Sequence, residues 1–106
     1  MGKLEDAIQS LIVSPEARHT ISRILSRLDE PLLKSWLDKL QIKEGRVFST
    51  FYSELGSRLS FNDFVALYQA LDYDFNKMSL WQDWRCYGAE GCKREAGWTC
   101  DPDRCP

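Results

Sequence analysis

The chain has 106 residues, with 14 basic and 16 acidic side chains, a formal net charge of −2 and 43% hydrophobic residues. This balance is typical of one small folded domain and argues against wholesale disorder. Proteins that bind nucleic acid or anionic membranes use basic patches to displace counterions, and this chain has no run of like charges. It also lacks an apolar run of the roughly 18 residues that span a bilayer. We therefore predict neither nucleic acid nor a membrane as a partner.

Apolar residues recur at helical spacing along most of the first 84 residues. They predict a first helix over residues 3–13. A second helix begins at Pro15 behind the N-cap Ser14, and a third begins near Pro31, because proline is tolerated in the first turn of a helix. Ser60 is the predicted N-cap of a fifth helix, and a short sixth helix leads into the tail.

The stretch from residue 47 to residue 55 predicts the fourth helix, with a strongly aromatic face, and Gly56 is expected to close it. No segment shows the alternation of apolar and polar residues that is typical of a strand. The sequence therefore predicts an all-α protein, an orthogonal bundle of five or six short helices over residues 1–84. Residues 85–106 are predicted to form an irregular tail.

The predicted tail is rich in glycine, proline and tryptophan, and it contains all the cysteines of the chain: Cys86, Cys92, Cys100 and Cys105. Five, seven and four residues separate them, so the closely spaced pairs of most zinc sites are absent, although an all-cysteine zinc site stays open. Loops of this length also close readily by disulfides, in any of three pairings. We predict a tail crosslinked by disulfides or by a metal, and no cofactor other than this alternative zinc ion.

The start of the chain and the cysteines bear on the compartment. Residues 1–13 lack the uninterrupted apolar stretch of an export signal, which predicts a cytoplasmic protein. Disulfides persist in oxidising compartments, so the prediction changes to a secreted protein if the cysteines are paired.

The sequence contains none of the nucleophile, phosphate-loop or metalloprotease motifs, and His19 is its only histidine. A core of this size cannot readily bury four further aromatic residues near the end of the chain: Trp81, Trp84, Tyr87 and Trp98. They either pack the tail against the bundle or form a binding surface. We predict a non-enzymatic interaction or regulatory protein whose tail completes the fold or binds a partner protein. Its oligomeric state is not predicted.

Two parts of the chain resemble a known family. Residues 4–11 (LEDAIQSL) with residues 15–18 (PEAR), and residues 60–67 (SFNDFVAL) with residues 71–75 (LDYDF), are similar to the helical leaders of the nitrogen-fixation-associated family of ribosomal peptide natural product precursors. In that family an enzyme binds the leader and modifies residues in the segment behind it. The resemblance implies an alternative function as a precursor, with a helical leader and a cysteine-rich core peptide.

Overall fold

The computed structural model describes residues 8–105, apart from the side chains of Phe75 and Lys77. Five helices and four strands are described in this range, namely α1 (Pro15–Leu25), α2 (Glu30–Lys39), β1 (Gln41–Lys43), β2 (Arg46–Phe51), α3 (Ser53–Arg58), α4 (Phe61–Ala70), α5 (Phe75–Leu80), β3 (Gln82–Cys86) and β4 (Cys92–Cys100). A short 3₁₀ helix over Gly88–Glu90 connects β3 to β4. The strands form one antiparallel sheet in the order β1-β2-β4-β3.

The prediction of an all-α helical bundle is wrong, because the described residues contain this four-stranded sheet beside the helices. Residues 47–51 of the predicted fourth helix lie in β2, which begins one residue earlier at Arg46. β1 and β2 are joined by Glu44 and Gly45, whose φ angles of 54° and 79° are both left-handed, as a type I′ hairpin turn requires. A run of β-branched and aromatic residues suits a strand as well as a helix, and this turn selects the strand.

Three predicted helices are confirmed as α1, α2 and α4. Their starts follow the sequence signals: Ser14 Oγ accepts a hydrogen bond from the backbone N–H of Ala17 at 3.1 Å, and Ser60 Oγ accepts one from Asp63 at 3.1 Å. Gly56 lies inside the short helix α3, so the prediction that it ends a helix is wrong. Residues 3–7 of the predicted first helix lie outside the described residues. Of the rest, Ile8 and Gln9 are helical and residues 10–13 are not, so the described part of this helix ends earlier than predicted.

The apolar core lies where the helices pack together and against the inner strand β2. α1 packs against α4, and Trp36 from α2 is only 1% exposed. Fully buried side chains fill the space between these elements: Ile21, Ile24, Leu25, Val47, Leu55, Leu67, Tyr68 and Leu71. This cluster gives the sheet a helical layer to pack on.

The predicted irregular tail contains regular structure. Its boundary at residue 84 falls within β3, and β4 lies between β2 and β3 in the sheet. β4 bends sharply: its two ends, Cys92 and Cys100, have Cα atoms only 6.1 Å apart. The pairing with β3 shifts at this bend, and Asp83 and Gly97 there have left-handed φ angles of 67° and 85°. Glycine and charged residues in β3 and β4 thus interrupt the alternation of apolar and polar residues that would have indicated strands.

Candidate functional site

The four cysteines form two disulfide bonds, Cys86 with Cys105 and Cys92 with Cys100. The sheet positions three of them: Cys86 lies opposite Cys92 in the pairing of β3 with β4, and Cys100 lies opposite Ser49 of β2. The sequence left three pairings open. In the observed pairing, the Cys86–Cys105 bridge joins the end of β3 to the segment after β4. The other bridge closes the bend of β4.

The same sulfur atoms are the strongest candidates for metal ligands in the described part of the chain. Those of Cys86, Cys100 and Cys105 all lie within 4.8 Å of one another. The thiolate is the form of cysteine that binds metal, and a sulfur in a disulfide bond has no free thiolate. In this oxidised state the group is therefore a pair of bridges, and the alternative zinc site stays a prediction that concerns the reduced chain.

Two of the four aromatic residues proposed from the sequence lie in direct contact. The rings of Trp81 and Trp84 meet edge to face with centroids 5.2 Å apart, and both side chains are half-buried. Arg94 lies opposite Trp84 in the pairing of β3 with β4, and its guanidinium group is 5.6 Å from the centre of the Trp84 ring. We call Trp81, Trp84 and Arg94 the tryptophan surface.

The other two aromatic residues, Trp98 and Tyr87, meet through Arg85. The guanidinium group of Arg85 lies 4.1 Å from the centre of the Trp98 ring and 5.2 Å from that of Tyr87. Trp98 is only 6% exposed and packs on Phe51 of β2, whereas Tyr87 is 38% exposed. Trp98 therefore packs β4 into the fold, and Tyr87 alone of this pair offers an accessible ring.

Glu95 fastens Tyr87 and Arg85 together. It accepts a hydrogen bond from the Tyr87 hydroxyl at 2.6 Å and one from Arg85 at 2.9 Å. These two hydrogen bonds lower the pKa of Glu95 below its usual range. The hydrogen bond to Glu95 in turn raises the pKa of the Tyr87 hydroxyl, so this tyrosine stays protonated at neutral pH.

Two buried tyrosines also have raised pKa values. Burial raises the pKa of Tyr68 to about 12, and it also raises the pKa of Tyr73. The Tyr73 hydroxyl lies 3.2 Å from Thr99 Oγ1, and that of Tyr68 lies 3.5 Å from Thr50 Oγ1. Such hydroxyls remain neutral at physiological pH, where Tyr68 of α4 and Tyr73 of the loop behind it act as hydrogen-bonding groups to the sheet.

An open cleft of about 780 Å³ lies beside α4 and the loop behind it. Two of its three carboxylates are compensated by cations of the chain. Asp72 pairs with both Arg46 and Arg104, and Asp101 pairs with Arg104, whose Nε lies 3.5 Å from Asp101 Oδ2. The cleft therefore offers a partner less uncompensated charge than its composition suggests.

Sequence reasoning proposed the aromatic residues and missed the arginines between them. Arg85 and Arg94 acquire their roles only when β3 pairs with β4, which places Arg94 opposite Trp84. Nine residues separate these two positions, so the contact is not visible in the sequence. A hairpin prediction would have found it, because residues that face each other across two strands interact.

Comparisons of the chain with protein-family models, with curated proteins and with solved structures gave no match. None of the described helices is long and apolar enough to cross a membrane.

Proposed function

We propose that this protein is a non-enzymatic binding protein. Its tryptophan surface docks onto a partner protein that presents a carboxylate beside an apolar side chain. The observation that carries this proposal is the position of Arg94, which is exposed and lies over the ring of Trp84, with its guanidinium carbon 5.6 Å from the ring centre. Its side chain makes no hydrogen bond or ion pair with the part of the chain that the structure describes.

A guanidinium group has five N–H donors in one plane. Electrostatic attraction to the face of an indole ring keeps a guanidinium group near the ring but uses none of these donors. Arg94 is therefore held near Trp84 with its hydrogen-bonding capacity available. A carboxylate accepts two parallel hydrogen bonds from such a group, which is the strongest match for it among protein side chains.

The two tryptophans supply the apolar part of the surface. Trp81 and Trp84 are half-buried, so their positions are fixed while part of each ring stays accessible. Tryptophan and arginine are the residue types most often found at the energetic centres of protein interfaces. An apolar side chain of the partner would cover the rings and exclude water from the Arg94 contact.

The neighbouring charges favour a single carboxylate over a polyanion. Lys93 pairs with Glu90 at 3.1 Å, and Arg85 pairs with Glu95 at 2.9 Å. These cations are compensated within the chain, so Arg94 does not belong to a continuous basic patch. Nucleic acids need such a patch, because their affinity comes from several phosphate contacts together.

The two disulfides point to an oxidising compartment, because cytosolic reductants keep most thiols reduced. We propose that the protein works there, so the cytoplasmic expectation from its first residues is not retained. The alternative function as a peptide precursor stays a prediction. All four cysteines are bonded in the described structure, so none offers the free thiol that a modifying enzyme would need.

Selection from a random peptide display library on the oxidised protein tests this function. We expect the enriched peptides to carry Asp or Glu next to a large apolar residue. Calorimetry with one such peptide should give a dissociation constant roughly 30-fold weaker for Arg94→Gln, because loss of an interface centre costs about 2 kcal/mol. Trp84→Ala should weaken binding to a similar degree.

Arg23→Gln is the matched control, because Arg23 is an exposed arginine of α1 with no ion pair among the described residues. It should leave peptide affinity unchanged. Enriched peptides without acidic residues, or equal effects of Arg23→Gln and Arg94→Gln, would overturn the proposal. So would Arg94-dependent binding of a single-stranded oligonucleotide in place of acidic peptides.

A further inference from the structure

The two disulfides are close enough to react with each other. Cys100 Sγ lies within 4.8 Å of both sulfur atoms of the Cys86–Cys105 bridge. Reacting atoms must approach to about 3–3.5 Å. A rotation of one cysteine side chain, freed when its own bridge opens, covers the remaining distance.

The sheet itself holds the two inner cysteines near each other. Cys100 is the pairing partner of Ser49, and Ser49 Oγ accepts a hydrogen bond from the backbone N–H of Cys86 at 3.3 Å. Ser49 thus contacts the strand segments that carry both cysteines. These contacts do not depend on either bridge, so the two sulfurs stay neighbours when one bridge opens.

Exposure divides the four sulfurs into an inner and an outer pair. Cys86 and Cys100 are 4% and 0% exposed, whereas Cys92 and Cys105 are half-buried. Each native bridge joins one inner to one outer cysteine. A thiol from solution can reach only the outer sulfur of either bridge, and the inner sulfur is then the leaving group.

From this arrangement we propose that the cysteine cluster is a thiol–disulfide exchange site that reacts stoichiometrically with a small-molecule thiol. The thiolate attacks Cys92, forms a mixed disulfide there and releases Cys100 as a thiolate. Cys100 then attacks Cys86, forms a Cys86–Cys100 bond and releases Cys105 as a thiolate. The negative charge of the incoming thiolate ends on Cys105, and the number of disulfide bonds, with the mixed disulfide counted, stays at two.

Burial gives the second step its direction. A thiolate at the fully buried Cys100 lacks water to solvate it, whereas one at Cys105 is partly solvated. Attack by the external thiol on Cys105 leads to the same bond, because the released Cys86 then attacks Cys100 and frees Cys92. Both routes end with an inner Cys86–Cys100 bridge and an outer pair that carries one adduct and one thiol.

The proposal is tested by exposing the oxidised full-length chain to reduced glutathione and then quenching with an alkylating agent. Digestion after basic and acidic residues separates all four cysteines, because Glu90, Arg94 and Arg104 lie between them. Mass spectrometry should find peptides joined through Cys86 and Cys100, with glutathione or the alkyl group on Cys92 and Cys105. Their yield should exceed that in denaturing urea roughly tenfold, since only the fold holds the inner sulfurs together.

The double variant Cys92→Ser, Cys100→Ser is the matched control, because it keeps the Cys86–Cys105 bridge and removes the internal acceptor. Glutathione at Cys105 should then leave Cys86 as a free thiol that becomes alkylated. In the natural chain, adducts on Cys92 or Cys105 accompanied by alkylated Cys100 or Cys86 would overturn the proposal. Complete retention of both native bridges, or equal yields in the folded and denatured chains, would overturn it as well.

Discussion

The helices α1–α5 and the segment from β3 to Cys105 are stabilised in different ways. We call them the helical part and the cysteine part. In α1 the buried side chains are Ile21, Ile24 and Leu25, all apolar. In β4 and the segment after it, buried positions include Thr99 and Asp101, which are 0% and 2% exposed, and covalent bridges join the chain. The contrast teaches that a domain of this size can build one apolar core and then extend it with crosslinks and hydrogen bonds.

A polar network connects the two parts. Ser49 Oγ donates to the carbonyl oxygen of Thr99 at 2.9 Å, and Thr99 Oγ1 lies near the hydroxyl of Tyr73 and the carbonyl oxygen of Met78. These polar atoms are buried and paired, which avoids the cost of removing them from water. Because each hydrogen bond needs its partner in place, the network also fixes the register of β4.

Removing a disulfide bridge should cause the largest loss in the free energy of unfolding. In the loop-entropy estimate, the Cys86–Cys105 bridge contributes about 3 kcal/mol and the Cys92–Cys100 bridge about 2.5 kcal/mol, since the longer loop is more restricted. We expect Cys86→Ser, Cys105→Ser to lose more unfolding free energy than Cys92→Ser, Cys100→Ser. Urea unfolding followed by near-ultraviolet circular dichroism measures both losses. Unchanged free energies in both variants would mean that the apolar core alone stabilises the cysteine part.

Breaking the polar network should have an intermediate effect. Ser49→Ala removes the acceptor of the Cys86 N–H and the donor to the Thr99 carbonyl, so two buried groups lose a partner. We expect a loss of about 1–3 kcal/mol in the free energy of unfolding. Ser57→Ala, which removes an exposed hydrogen bond in α3, should cost much less. Equal losses in these two variants would show that the buried network adds nothing to stability.

Acid should cause the smallest loss in the free energy of unfolding, through Glu95 at the surface of the cysteine part. The pKa of Glu95 is lowered in the folded chain, so its contribution to stability is complete above its ordinary value near 4.5. The contribution is lost as the pH falls through the lowered pKa. Glu95→Gln and Tyr87→Phe should therefore lose less unfolding free energy than the natural chain between pH 7 and pH 3. A steeper loss in Glu95→Gln would contradict this assignment.

The sequence predicted the helical part well because apolar periodicity and N-caps act locally. Ser14 and Ser60 lie three residues before the N–H groups that they accept from, so the signal and the structure are neighbours in the chain. The sequence predicts a helix where β2 lies, because the apolar residues of this short run fit the helical period as well as the strand period. The strands of the cysteine part were missed because a bend and charged residues interrupt their alternation.

The candidate sites also contain both local contacts, which the sequence can predict, and contacts between distant residues, which it cannot. Trp81 and Trp84 are three residues apart, and their contact follows from their closeness in the chain. The pairing of Cys86 with Cys105 and the contact of Arg94 with Trp84 join residues that are 19 and ten positions apart. Such contacts depend on how β3 and β4 pair. This pairing is not determined by residue types and local spacing.

The ends of the sheet have a consequence for how the protein behaves at high concentration. The strand at one side, β1, is three residues long, and the strand at the other side, β3, is interrupted by the left-handed Asp83. An exposed strand with a long row of free N–H and carbonyl groups is a template for another chain to add to. Neither outer strand offers such a row, so this small sheet is a poor seed for aggregation.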